Sequence, residues 1–114
     1  SLGTYKVALT VKDTTPEGSG VVVFGEGYSS EVAFHSQRKT MAIPEWFSGY
    51  RRVWEFPADY LGGLKLGAIV YCPKEISFPT EDDVQHWIDT RPGRRLVKVD
   101  RCSILYPAAD ESNG

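Results

Sequence analysis

The segment Tyr5–Lys12, Y-K-V-A-L-T-V-K, puts Tyr5, Val7, Leu9 and Val11 on one side and Lys6, Ala8, Thr10 and Lys12 on the other. A period of two is that of a half-buried strand, so the chain is expected to open with one. Asp13–Gly20, D-T-T-P-E-G-S-G, then collects the residues that turns demand, and Pro16 would remove a ladder donor, so the strand ends there. Val21–Phe24 is a continuous β-branched run and reads as a second strand. A third is expected at Glu31–Phe34, with Val32 and Phe34 pointing the same way.

Further along, Arg52–Phe56 resumes alternation until Pro57 breaks it. Leu61–Tyr71, L-G-G-L-K-L-G-A-I-V-Y, is the most apolar run in the chain and reads as a central buried strand, its glycines marking a bend, a bulge or a close backbone approach. Leu96–Tyr106 is long enough for one bent strand or two short ones. One helix is expected near 80–89: Thr80 is a good N-cap, Asp83 stands three residues on, and Val84, Trp87 and Ile88 make an apolar stripe. Short strands in this number, with early gaps too short for crossover helices, imply an all-β fold, an antiparallel β-sandwich or small barrel of jelly-roll or PLAT-like type.

The 114 residues fit one domain, 1–114, with a polar tail at 108–114 that is expected to fray; the absence of an initiator Met reads as a piece of something larger. A net charge of −2 argues against a protein whose main partner is nucleic acid. No apolar run reaches the roughly eighteen residues of a membrane span. Cys72 and Cys102 each sit near the end of an apolar run and read either as buried thiols or as one disulfide, which leaves the compartment unassigned.

Chemistry-bearing residues are few. His35 and Ser36 invite a hydrolase reading with an acid such as Asp59, yet sequence neighbours at a strand end point apart, and no G-x-S-x-G elbow is present. His86 with His35 offers too few ligands for zinc. Glu81, Asp82 and Asp83 fan out on a helix and serve its N-terminus better than calcium, so no metal or cofactor is expected. The segment F-G-E-G-Y-S-S, Phe24–Ser30, has the glycines of a phosphate loop, but such a loop needs a helix to begin there, and the strand-like 31–34 makes it a turn.

The loop around P-E-W-F-S-G-Y crowds Trp46, Phe47 and Tyr50 into an irregular segment, the residues that stack on sugars, insert at membrane interfaces or anchor protein contacts; plugging the end of a sandwich is the competing reading. Basic residues fall in three groups, Arg38 with Lys39, Arg51 with Arg52, and Arg91 with Arg94 and Arg95. Brought to one end they would hold sulfate, phosphate, sialic acid or an acidic protein surface. The candidate binding residues are therefore Trp46, Phe47, Tyr50, Arg51, Arg52, Arg91, Arg94 and Arg95, in a non-catalytic module that contacts a lipid, glycan or protein surface.

In order and spacing, TYKVALTVKD, VVVFGEGYSSEVAF, WEFPADYLGGLKLGAIVY and Trp87 ahead of RRLVKV resemble the PLAT (lipoxygenase homology) domain, including the C-terminal domain of animal lipases. The resemblance covers most of the chain and departs at the long basic loop and the capped helix from Thr80. It implies a β-sandwich that attaches a partner enzyme to lipid or protein, with Trp46 and Phe47 at the contact. In size and class the chain also looks like the protruding domain of some small virus capsids, which implies a self-associating homodimer.

Overall fold

The computed structural model describes residues 2–24, 26–43, 52, 55–72, 86, 89–90 and 95–107, with backbone alone at 2–4, 26–30 and 57–58. The elements in chain order are α1 (Leu2–Thr14), β1 (Gly20–Phe24), α2 (Glu26–Ser36), β2 (Lys39–Ile43), the single turn α3 (Pro57–Tyr60), β3 (Leu66–Tyr71), β4 (Arg95–Val99) and β5 (Cys102–Tyr106). The strands form one five-stranded sheet in the order β2-β1-β3-β5-β4. Strand β1 pairs parallel with both β2 and β3, whereas β5 runs antiparallel to β3 and β4. This open mixed sheet with helices replaces the all-β sandwich or barrel expected from the sequence.

The first expected strand is a helix, and burial explains why. Val7, Ala8 and Val11 are fully buried, the i, i+1, i+4 pattern of a helix face, while Tyr5 stays 42% exposed. Val7 and Val11 satisfy a period of two and a helical stripe equally well, so the alternation did not discriminate. β-branched residues in a helix each lose at most about 0.7 kcal/mol relative to alanine, whereas burying one Val side chain is worth roughly 1.5–3 kcal/mol. Packing therefore wins. The threonines adapt to it: Thr10 Oγ1 donates to Lys6 O at 2.8 Å, Thr14 Oγ1 to Thr10 O at 2.6 Å and Thr15 Oγ1 to Val11 O at 2.6 Å.

The third expected strand lies inside α2, which separates the two residues that were to share a face: Val32 is fully buried and Phe34 is 77% exposed. Helix α2 is thus the crossover between parallel β1 and β2 that the sequence reading judged too long for the gap. At Arg52–Phe56 the alternation is again overridden, for Phe56 N donates to Arg52 O at 3.0 Å, a helical i→i−4 bond. The helix expected near 80–89 falls mostly outside the described residues; His86 and Asp89 are helical, and Thr90 N donates to His86 O at 3.0 Å.

The continuous apolar runs are the strands buried on both faces. Every residue of β1 and β3 is buried, as expected for parallel strands covered on two sides. On one face Val21, Val23, Ala68, Val70 and Ile104 pack with Val7, Val11 and Val32 of the helices. On the other, Val22, Phe24, Ile43, Ile69, Tyr71 and Leu105 pack under Leu61, with Tyr60 and Leu64 against them. The long segment Leu96–Tyr106 resolves into two strands that turn at Asp100 (φ 53°). Beyond the pair Tyr71↔Ser103, the β3–β5 ladder closes covalently as the disulfide Cys72–Cys102, with Cα atoms 4.2 Å apart.

Arg38 joins the helices to each other. Its side chain is 9% exposed, and its guanidinium donates to Lys12 O (3.0 Å), Thr15 O (3.0 Å) and Thr15 Oγ1 (3.1 Å) at the end of α1, and to Ser36 O (3.4 Å) and Gln37 O (3.2 Å) at the end of α2. The last carbonyls of a helix lack intrahelical donors and carry the negative end of its dipole, so one buried cation serves both termini. Grouped with Lys39 as part of an anion site in the sequence, Arg38 is instead a structural cap.

Candidate functional site

Both loops that open the central strands are shaped by glycines in left-handed backbone. Pro16–Ser19 closes a turn with Ser19 N donating to Pro16 O at 3.1 Å and Gly18 at φ +84°. The turn after Leu61 uses Gly62 (φ +61°) and Gly63 (φ +85°), and Leu64 N donates to Leu61 O at 3.2 Å. A bond from Gly20 N to Lys65 O, 2.8 Å, ties one loop to the other. Gly67 marks the point of closest approach: a Cβ there would stand 3.1 Å from Thr15 Cβ and against the Ser19 side chain. The ladder skips it, since Gly20 pairs with Leu66 and Val21 with Ala68.

Between these loops, the end of α1 and the β4–β5 hairpin lies a cleft of about 680 Å³. It occupies the edge of the sheet where β1, β3 and β4 begin and β5 ends. Its chemistry comes from Thr14, Glu17, Ser19, Lys65, Arg95 and Tyr106. The Arg95 guanidinium sits 4.3 Å from the centroid of the Tyr106 ring, a cation–π contact that holds it in place. Tyr106 is buried and its hydroxyl lies 2.6 Å from Thr14 Oγ1, which fixes the ring on which Arg95 rests. Glu17, Lys65 and Arg95 are exposed.

Of the candidate binding residues, Arg95 alone is seen to line this cleft. Arg52 is exposed and lies 5.7 Å from the centroid of Phe56, so Arg52 and Arg95, the described arginines among the candidates, have separate aromatic partners. Trp46, Phe47, Tyr50, Arg51, Arg91 and Arg94 lie outside the described residues. Sequence reasoning missed Glu17, Ser19 and Lys65, which were read as turn and strand residues. Their signal was the pairing of two glycine turns, Glu17–Ser19 and Gly62–Lys65, each just ahead of an apolar run.

The other nominated groups stand apart from the cleft. Ser36 is fully buried, and its hydroxyl accepts from Arg38 N at 3.3 Å. His35 makes edge contacts with Tyr5 (4.8 Å) and Phe34 (5.0 Å). On helix α2 the two project about 100° apart, so the imidazole does not serve the hydroxyl. With Cys72 and Cys102 bonded to each other, and no group of three His, Cys, Asp or Glu placed to hold a metal among the described residues, no metal centre is defined there. No helix among them is long and apolar enough to cross a membrane. F-G-E-G-Y-S-S, read as a turn because a strand seemed to follow it, instead leads from β1 into α2.

The class defined is an open mixed α/β sheet with a polar cleft at the starting edge of its parallel strands. Compared with protein-family models, curated proteins and solved structures, the chain matches none.

Proposed function

We propose that the chain is a non-catalytic binding module and that the cleft at the sheet edge receives an anionic group of its ligand. One observation carries this reading: Arg95 is held over Tyr106 inside a cleft, with Lys65 on the same lining and, among the described residues, no hydrogen bond to the guanidinium edge. A guanidinium whose face is covered and whose N–H edge is open is suited to bidentate contact with carboxylate or phosphate. The volume falls in the range of roughly 300–1,000 Å³ of pockets that hold small molecules, more than one inorganic anion needs. The Ser19 and Thr14 hydroxyls on the lining are bonded to Pro16 O and Thr10 O, each at 2.6 Å, no histidine stands beside them among the described lining residues, and Ser36 is buried elsewhere.

Titration with inorganic phosphate, followed by amide shifts in NMR, tests the reading. Shifts should centre on Ser19, Lys65, Gly67 and Arg95, and Arg95→Gln should weaken them about tenfold, the equivalent of one charge-assisted hydrogen bond. Shifts elsewhere, or unchanged in Arg95→Gln, would remove the cleft as the site.

A further inference from the structure

The protons of the cleft hydroxyls are already committed. Thr14 Oγ1 gives its single hydrogen to Thr10 O at 2.6 Å, so in its 2.6 Å contact with Tyr106 it must accept, and the tyrosine hydroxyl is the donor. Ser19 Oγ gives its hydrogen to Pro16 O at 2.6 Å. These three hydroxyls keep lone pairs but no free proton for a ligand, and Glu17 adds a carboxylate that only accepts. Among the described residues, the side-chain donors left on the lining are the two cations, Arg95 and Lys65.

We infer that the cleft takes an acidic sugar, its carboxylate held by Arg95 and Lys65 and its ring hydroxyls donating to Glu17 and to the Ser19 and Tyr106 oxygens. This rests on the proposed binding role of the cleft and adds the ligand class. A bare anion would leave the acceptors unused. A peptide segment brings one carbonyl for every N–H, so its carbonyls would compete with any carboxylate for Arg95 and Lys65 while the acceptors met only its N–H groups. A polyhydroxylated acid supplies one anion and several donors, which matches the inventory. Pro16, Leu64 and Pro107 provide apolar surface for the C–H faces of the ring.

The experiment is a parallel NMR titration of the folded chain with glucuronate, acetate, glucose and glycylglycine, repeated on Glu17→Gln. Glucuronate should bind at least about tenfold more tightly than acetate or glucose, since each extra satisfied hydrogen bond is worth up to about that factor. Exposed Glu17 is replaceable without disturbing the core, and Glu17→Gln should weaken glucuronate several-fold while binding acetate no more weakly. If glucuronate binds no better than acetate while both still act at Arg95, the sugar assignment is overturned and the anion cleft stands. Preference for glycylglycine overturns it in favour of a peptide. Absence of every anion from the cleft removes the binding role itself, and the sugar with it.

Discussion

Replacing Arg38 with methionine keeps much of the side chain's volume and removes every hydrogen bond it donates. Three of its acceptor contacts, to Thr15 Oγ1, Thr15 O and Ser36 O, are buried. Leaving a buried acceptor unsatisfied costs roughly 1 kcal/mol or more each, about 3 kcal/mol together. The loss of a cation at two helix C-termini adds about 0.3–1 kcal/mol per helix, so the expected destabilisation is about 4 kcal/mol. For a domain of this size that lowers the urea midpoint by about 2–3 M at an m-value near 1.5 kcal/mol/M. Urea unfolding followed by far-UV circular dichroism reads it directly. Arg38→Lys should recover only part of the loss, because one ammonium cannot reach both helix ends in the planar fork geometry. The opposing possibility is that desolvating the guanidinium already cancels these gains, as it does for some buried ions. Arg38→Met within 1 kcal/mol of the parent chain would refute the capping account.

Other substitutions separate the helix from the strand that alternation suggested. Val7→Ala should cost about 2 kcal/mol and Tyr5→Ser well under 1 kcal/mol, because Val7 is buried and Tyr5 is on the outer side of α1; equal losses in thermal unfolding would point back to one shared strand face. Phe34→Ser, at a 77% exposed position, should leave the melting temperature within about 2 °C. Gly67→Ala should destabilise by about 1–3 kcal/mol, since its Cβ meets Thr15 and Ser19; a neutral effect would show that the two loops are looser than described. Removing the disulfide with Cys72→Ala and Cys102→Ala should cost about 3.5 kcal/mol, from the chain-entropy relation with a separation of 30 residues, read as a lowered urea midpoint.

The strands that are buried on both faces were legible because nothing else explains a continuous apolar run: Val21–Phe24 and Leu66–Tyr71 have no polar face to place in water. The helices were not. Val7 with Val11, four apart, fits a period of two as well as a helical stripe, and only contact with the sheet breaks the tie; Val32 with Phe34, two apart, fits a strand alone, and α2 sends the pair to opposite sides because only Val32 meets the core. Reading α2 as a strand then removed the crossover helix, and with it any ground for parallel pairing. Arg95 was visible as a cation near a turn. Its position over Tyr106 was not, since β4 and β5 must pair Arg95 with Tyr106 before the two residues meet. The proton accounting of Thr14 was further out of reach, because it depends on α1 being helical.

The bond between Cys72 and Cys102 also acts as a ratchet on alignment. In β5, Ile104 faces one core and Leu105 the other, so sliding this strand by a single residue along β3 would exchange the two and turn Ser103 toward the opposite layer. Noncovalent ladders resist such a slip only through the side chains it would misplace. Here the cysteines stand one position beyond Tyr71↔Ser103, and once they are joined the slipped pairing cannot be reached without breaking a covalent bond. A partner's pull or a brief loosening of the hairpin therefore ends in the same pairing from which it began, and Arg95 and Tyr106 return to each other at the far end of the strands.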